Sequence, residues 1–337
     1  MTTQMTRRTL AAALALGATV IAGAAHAQGA NAAQAAANYP TRAVKFIVPV
    51  PAGGAADMMS RMIAGHLQAK FGQPFVVENR PGAGSSLGMD VVAKATADGY
   101  TIGMGNIAAN AINPAVRPGA FPYHPVRDFA AISMVGVTPL ILVVNAEKVQ
   151  ASSVPAFIAH LKANPDKLSY GSSGVGSSLH LAMELFMTRT GSKMTHVPYK
   201  GSAPMVTELI GGQIEASIDA ATTSLPHVKA GKLRALGVST KERAFFAPEI
   251  PPIADTVPGF DVSPWHGVVA PAGTPQAIVE KLSTEIQAFL RQSDTEAKLR
   301  SAGVVRVGSS AKDFAQAMQA DFDLYSKVVK DAGLKAE

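Results

Sequence analysis

Residues 45–57 read Lys45-Phe-Ile-Val-Pro-Val-Pro-Ala-Gly-Gly-Ala-Ala-Asp57. A short apolar strand meets a Pro-Ala-Gly-Gly turn. A helical pattern then begins at once, Ala55-Ala-Asp-Met-Met-Ser-Arg-Met-Ile63. A strand that ends in glycines at a helix start leaves several backbone N–H groups unpaired and pointing outward. The helix dipole adds about half a positive charge there, so the place suits an anion. The arrangement recurs far downstream, at Ser169-Tyr-Gly-Ser-Ser-Gly-Val-Gly-Ser-Ser-Leu-His180. Two such ends, distant in sequence, imply two lobes gripping one small acidic molecule.

Working outward, the first residues read as an export signal. Arg7 and Arg8 precede an uncharged run from Leu10 to Ala25, and Ala25-His-Ala27 fits a small-x-small cleavage site. The run is shorter than the ~20 residues a membrane helix needs. A signal peptide over 1–27 is therefore expected, then a leader over 28–38 rich in alanine, glutamine and asparagine. Thr6-Arg-Arg-Thr-Leu10 partly matches a twin-arginine signal, so both export routes stay open. The expected location is the periplasm.

The chain has 337 residues and no cysteine, which excludes disulfides, thiolate metal sites, cysteine nucleophiles and a lipid-anchored N-terminal cysteine. Its 30 basic and 24 acidic residues give a net charge of +6 spread along the chain. No basic run carries interleaved aromatics, so nucleic acid is not an expected partner.

Strand and helix patterns alternate. Strands are expected at 44–48, 75–78, 100–104, 167–170, 195–198, 213–219, 233–239 and 265–271. One long extended segment is expected at 133–145. Helices are expected at 56–71, 86–95, 154–164, 178–189, 203–210, 276–292 and 311–332. This alternation predicts an α/β protein with parallel sheets. One lobe should comprise 39–135 and 250–337, and a second, inserted lobe 136–249. The segments near 135–144 and 240–270 would form the hinge between them.

The glycine-rich loops fail the nucleotide fingerprints. Gly82-Ala-Gly-Ser-Ser-Leu-Gly88 has Leu87 where G-x-G-x-x-G needs glycine. Gly103-Met-Gly-Asn-Ile-Ala108 fits formally, but Pro114 and Pro118 interrupt the helix that should follow. Gly171 to Ser178 holds neither a P-loop nor a serine-hydrolase elbow, since Val175 replaces the second glycine. No cofactor is expected. His180, His196, His227 and His266 lack metal-ligand spacing, so no metal is expected. Asp57 sits in a first helical turn and reads as a cap or loop brace. Asp219 ends a strand and reads equally as a ligand contact or as a cap for the next turn. Trp265 reads as hinge or core.

Several longer segments together carry a resemblance. They are Tyr39-Pro-Thr-Arg-Ala-Val-Lys45, Val50-Pro-Ala-Gly-Gly-Ala-Ala-Asp57, Gly72-Gln-Pro-Phe-Val-Val-Glu-Asn-Arg-Pro-Gly-Ala-Gly84, Asp98-Gly-Tyr-Thr101, His196-Val-Pro-Tyr-Lys-Gly-Ser-Ala-Pro204, Gly231-Lys-Leu-Arg-Ala-Leu236 and Ala270-Pro-Ala-Gly-Thr-Pro275. In this order they resemble the Bug receptors, the solute-binding components of tripartite tricarboxylate transporters. The resemblance spans about Tyr39 to Gly333.

It implies a two-lobed type II periplasmic binding fold, a Venus flytrap, and no enzymatic activity. It implies a small carboxylated ligand in the interlobe cleft, held by backbone amides and ordered water. The partners it implies are that ligand and the membrane permease subunits, with the receptor a monomer. Carried over, the first-lobe contacts would be Ala52, Gly53, Gly54, Gly84, Asn106 and Ala108. The second-lobe contacts would be Ser172, Ser173, Gly176, Ser177, Tyr199 and Asp219. Val50, Ala52 and Ser85 depart from the family pattern, which leaves pocket size and ligand identity open. Two alternatives remain beside a transport receptor. One is a ligand-dependent sensor partner; the other is an exported hydrolase using Ser173 or Ser177 with His180 or His196.

Overall fold

The computed structural model describes residues 37–331. The expected signal peptide at 1–27, most of the expected leader (28–36) and residues 332–337 lie outside the described residues.

The opening strand β1 (Val44–Val48) is buried except at Lys45. Such a strand needs neighbours on both edges and cover on both faces. It pairs in parallel with β2 (Phe75–Asn79) and with β3 (Thr101–Asn106). Helix α1 (Ala55–Phe71) joins β1 to β2 and buries Met59, Ile63 and Leu67, one side of a 3.6-residue period. Gly72 ends it in the left-handed region at φ 71°, its N–H donating to the Gln68 carbonyl. Helix α2 (Ser86–Ala93) follows β2. The six-stranded sheet is completed by β4 (Phe129–Val137), β10 (Trp265–Pro271) and β11 (Val305–Arg306), in the order β11-β4-β10-β3-β1-β2.

A five-stranded sheet forms the second lobe. Its order is β7 (Thr195–Pro198), β6 (Ser169–Ser172), β8 (Ala216–Ala220), β5 (Leu140–Asn145), β9 (Leu233–Val238). Helices α4 (Val154–Ala163), α5 (Ser178–Thr190), α6 (Ser202–Ile210) and α7 (Ala221–Lys229) connect its strands. The molecule is thus an α/β protein of two lobes.

The sheets are mixed, not parallel as the alternation predicts. Strand β10 runs antiparallel to both β3 and β4, and β5 antiparallel to both β8 and β9. These are the two strands by which the chain arrives from the opposite lobe, so each enters its sheet from the far end. The expected single segment at 133–145 is two strands, interrupted at Thr138-Pro139, where proline has no N–H to give a ladder. The two crossings are tied together. Thr138 N donates to the Pro264 carbonyl at 2.8 Å, and Ser239 N donates to the Leu140 carbonyl at 2.9 Å. The Ser239 hydroxyl accepts from Leu140 N at 2.9 Å.

One apolar cluster lies between the first sheet and helices α1 and α8 (Gln276–Leu290). A second begins on the opposite face of that sheet and continues into the second lobe. The last helix, α10 (Ala311–Asp331), lies along this continuity and packs on both β4 and α5. Its Asp321 accepts from Trp265 Nε1 at 2.7 Å, and its Phe314 meets the Trp265 ring edge-on at 5.1 Å. Gly267, two residues along β10, leaves room for the same phenylalanine: a Cβ there would sit 2.3 Å from Phe314 Cζ.

Overpacking of this kind costs about 1–3 kcal/mol. Gly267→Ala should therefore lower the chemical denaturation midpoint clearly; an unchanged midpoint would show that Phe314 yields freely.

Candidate ligand-binding cleft

The turn before α1 is held by a single carboxylate. Asp57 Oδ2 accepts from Gly53 N and from Arg61 Nε, both at 3.0 Å. Its Oδ1 accepts from Asn79 Nδ2 at 2.9 Å, and that amide also donates to the Val50 carbonyl at 3.0 Å. Arg61 and Asn79 are joined in turn at 3.1 Å. The Arg61 hydrogen bond first, then those from Gly53 and Asn79, outweigh burial and hold the Asp57 pKa down to about 2. Asp57 is a loop brace. Its network fixes residues 50–54 on the end of β2, and Gly53 takes φ +94°, a conformation natural to glycine. Gly54 is the N-cap and no side chain caps the helix, so the first-turn N–H groups stay open.

Strand β3 brings Asn106 beside this helix end. Asn106 Oδ1 accepts from Ala109 N at 3.0 Å, while its own N–H donates to Asn110 Oδ1 at 3.3 Å. The Asn106 Nδ2 group has no protein partner among the described residues. Beyond it the chain turns into a π-helical segment, Ala108–Ile112, which runs on into the short helix α3 (Asn113–Val116).

Between the lobes lies a cavity of about 530 Å³. The first lobe lines it with Val50 to Ala52, Gly54 to Ala56, Ser85 and Asn106 to Ala108. The second contributes Leu140, Ser178, Leu179 and Ala220, and the crossings contribute Thr138, Pro264, Trp265 and His266. No Asp, Glu, Lys or Arg is among these lining residues.

The second-lobe loop rests on a largely buried aromatic stack. His180 lies on His196 at 3.9 Å between centroids, and Tyr170 on His196 at 4.9 Å. His180 Nδ1 accepts from Gly176 N at 3.0 Å, so the neutral ring carries its proton on Nε2, 3.7 Å from Glu184. The Tyr170 hydroxyl donates to Glu184 at 2.5 Å. Ser177 caps α5, its hydroxyl accepting from His180 N at 3.2 Å. Burial, and then His196 beside it, pushes the His180 pKa down to about 3; burial alone pushes His196 down to about 4. Ser172 Oγ lies 2.7 Å from His196 Nε2, but Ser172 is fully buried and lies off the cavity. It fixes the loop.

Of the residues expected at the site, Ala52, Gly54, Asn106 and Ala108 line the cavity, with Gly53 inside the same turn. Gly84 and Gly176 both line a separate hollow of about 210 Å³. Ser172, Ser173, Ser177, Tyr199 and Asp219 do not line the large cavity; their neighbours Ser178 and Ala220 do. Tyr199 N donates to the Ser172 carbonyl at 3.0 Å. Asp219 accepts from the Ser202 hydroxyl at 2.5 Å and the Ser224 hydroxyl at 2.6 Å, tying the first turns of α6 and α7 together. Burial raises its pKa. Thr138, Pro264 and His266 line the cavity without being expected there. Their signal is topological: β10 returns through the hinge, so its first residues form the cleft floor.

Two lobes joined by two crossings, with a cavity at the helix ends between them, define the solute-binding receptors of the periplasmic binding class. The chain belongs to the tripartite tricarboxylate transporter receptor family, whose model matches residues 59–334. It is 37% identical to protein BugT of Bordetella pertussis over 309 residues, 91% of this chain and 94% of that one. Among solved structures, R. palustris Rpa4515 with adipate is 38% identical with a TM-score of 0.73, covering 88% of this chain and 99% of that one. MatC of Rhodopseudomonas palustris with bound malate is 29% identical with a TM-score of 0.69, covering 86% and 100%. The chain is a periplasmic-type solute receptor and not an enzyme. No helix among the described residues is long and apolar enough to cross a membrane.

His180 and His196 set an acid limit. Unfolded, they titrate near 6.5; folded, His180 titrates near 3 and His196 near 4. Their folded pKa values are depressed, so the unfolded chain binds more protons and stability falls as pH drops below 6.5. The melting temperature should decline steadily from neutral pH towards about pH 4. It should decline less in His180→Asn, which keeps an acceptor for Gly176 N. Equal slopes would remove His180 from the explanation.

Proposed function

We propose that this chain is a periplasmic receptor that closes two lobes on a small carboxylate and hands it to the permease subunits of a tripartite tricarboxylate transporter. The observation that carries the reading is the uncapped start of α1, opening with the Asn106 amide onto a cavity lined by no charged side chain. A carboxylate fits open N–H groups at a helix start. Adipate and malate in the two related structures support the same ligand class.

In this reading the chain is exported on a signal peptide over 1–27. The lobes comprise 39–135 with 250–337, and 136–249. The anion docks first on Ala52, Gly53, Gly54, Asn106 and Ala108. Gly84 and the opposite loop, with Ser172, Ser173, Gly176, Ser177, Tyr199 and Asp219, form the closing side. Ligand shifts an existing open–closed equilibrium because only the closed form engages both sides.

The test is thermal unfolding of refolded, ligand-stripped mature protein with adipate, L-malate and citrate, each beside its neutral amide. A ligand at about 100 times its Kd adds roughly 2.7 kcal/mol of stability. A shift with an acid and none with its amide supports the reading; silence from every acid, in folded protein, sinks it. Gly54 offers the matching substitution, because a Cβ there meets nothing within 4 Å. Gly54→Leu should leave the unliganded melting temperature in place and remove the ligand-induced shift. A retained shift would move the site away from α1.

A further inference from the structure

Among the described residues that line the cavity, His266 is the sole titratable one. It lies on β10 directly opposite Asn106 of β3 in the strand register. Alternation along the strands sends both side chains to the face that carries Val268 and Met104, the face covered by α1. The two therefore stand side by side beneath the uncapped helix start.

The ring has two unlike nitrogens. Nδ1 is buried and has no hydrogen-bond partner among the described residues. Among the described residues Nε2 has no bonding partner, and it is not one of the buried unpartnered atoms, so it is the accessible nitrogen of a cavity-lining ring. A buried N–H without a partner is rarer and costlier than a buried lone pair without one. The proton of the neutral ring therefore sits on Nε2 and points into the cavity, while Nδ1 keeps its lone pair.

We propose that His266 is a ligand contact that stays neutral and donates a hydrogen bond from Nε2 to a carboxylate oxygen, beside the Asn106 amide. This rests on the carboxylate-receptor reading and extends it: the receptor holds its anion with uncharged donors throughout. A second proton would have to sit on the buried, unpartnered Nδ1, adding a charge and an orphan donor together. Burial likewise pushes the His266 pKa down to about 4. The charged groups on neighbouring elements are already engaged. Asp57 on α1 is held by Arg61 and Asn79, Asp321 on α10 by Trp265, and Arg306 on β11 lies 3.5 Å from Glu296. None forms an ion pair with the imidazole.

The probes are adipate and L-malate, titrated calorimetrically into wild-type protein, His266→Gln and His266→Phe. Losing a hydrogen bond to a charged oxygen should weaken binding of the tighter probe about tenfold to a hundredfold in His266→Phe. Glutamine supplies an uncharged N–H donor at similar reach and should recover most of that loss. Between about pH 6 and about pH 8 the wild-type affinity should stay flat, with no proton uptake in buffers of different ionisation enthalpy. Nitrogen-15 imidazole spectra should show a neutral Nε2–H ring whose Hε2 moves downfield on adding the probe. Affinity within twofold of wild type in His266→Phe would overturn the contact. Affinity rising towards acid with proton uptake would overturn the neutral donor. In either case wild-type binding leaves the carboxylate-receptor reading standing, whereas a wild type that binds neither probe nor citrate overturns both. If His266→Phe does not fold, His266→Gln, the pH profile and the spectra decide the matter alone.

Discussion

The cleft exists because two chain crossings are bound to each other. Thr138 donates to Pro264, and Leu140 and Ser239 exchange hydrogen bonds, so the strands leaving and re-entering the first lobe share one seam. Each crossing strand then enters its sheet against the local direction. That reversal carries Thr138, Pro264 and His266 under the helix starts of the first lobe. It also lets one apolar cluster run from one lobe into the other, with α10 laid along it. Relative motion of the lobes must therefore be taken up in the few residues of the seam and in the packing of α10 on α5.

The same economy governs the polar parts. A buried carboxylate is costly unless its oxygens are filled. Asp57 fills them with a turn, an arginine and an asparagine, and Asp219 with serine hydroxyls from the first turns of two helices. Each acid uses up its hydrogen-bonding capacity in shaping a loop on either side of the cleft. The backbone N–H groups at the start of α1 are what remains open.

Much of the fold was legible because local chemistry announced it. The glycine turn at 51–54 marked where β1 gives way to α1, and Gly72 marked where α1 stops. Helix α7 was read only as a turn, because Pro226 lies inside it and its buried residues are few. Helix α9 (Ser293–Ser301) was missed because Thr295 and Leu299 are its only buried residues, too few to print a period. Strand direction could not be read from alternation, because it depends on which lobe each strand arrives from. The candidate site divides the same way. Backbone positions such as Gly53 and Gly54 carry a sequence signature, since a positive φ and a bare helix end demand small residues. Thr138, Pro264 and His266 carry none; long-range topology alone brings them to the cavity.

A cavity lined by dipoles and no fixed charges has a consequence for what a neighbouring protein senses. An empty cleft of this kind leaves no bare counter-ion behind. Were an anion to enter, as proposed, no described residue of the lining would cancel its charge, although the surrounding dipoles would stabilise it. Under the proposed function the loaded receptor would therefore differ from the empty one by the ligand's full negative charge, placed at the junction of its lobes. Shape and surface potential would then change together, and the two signals would report the same event.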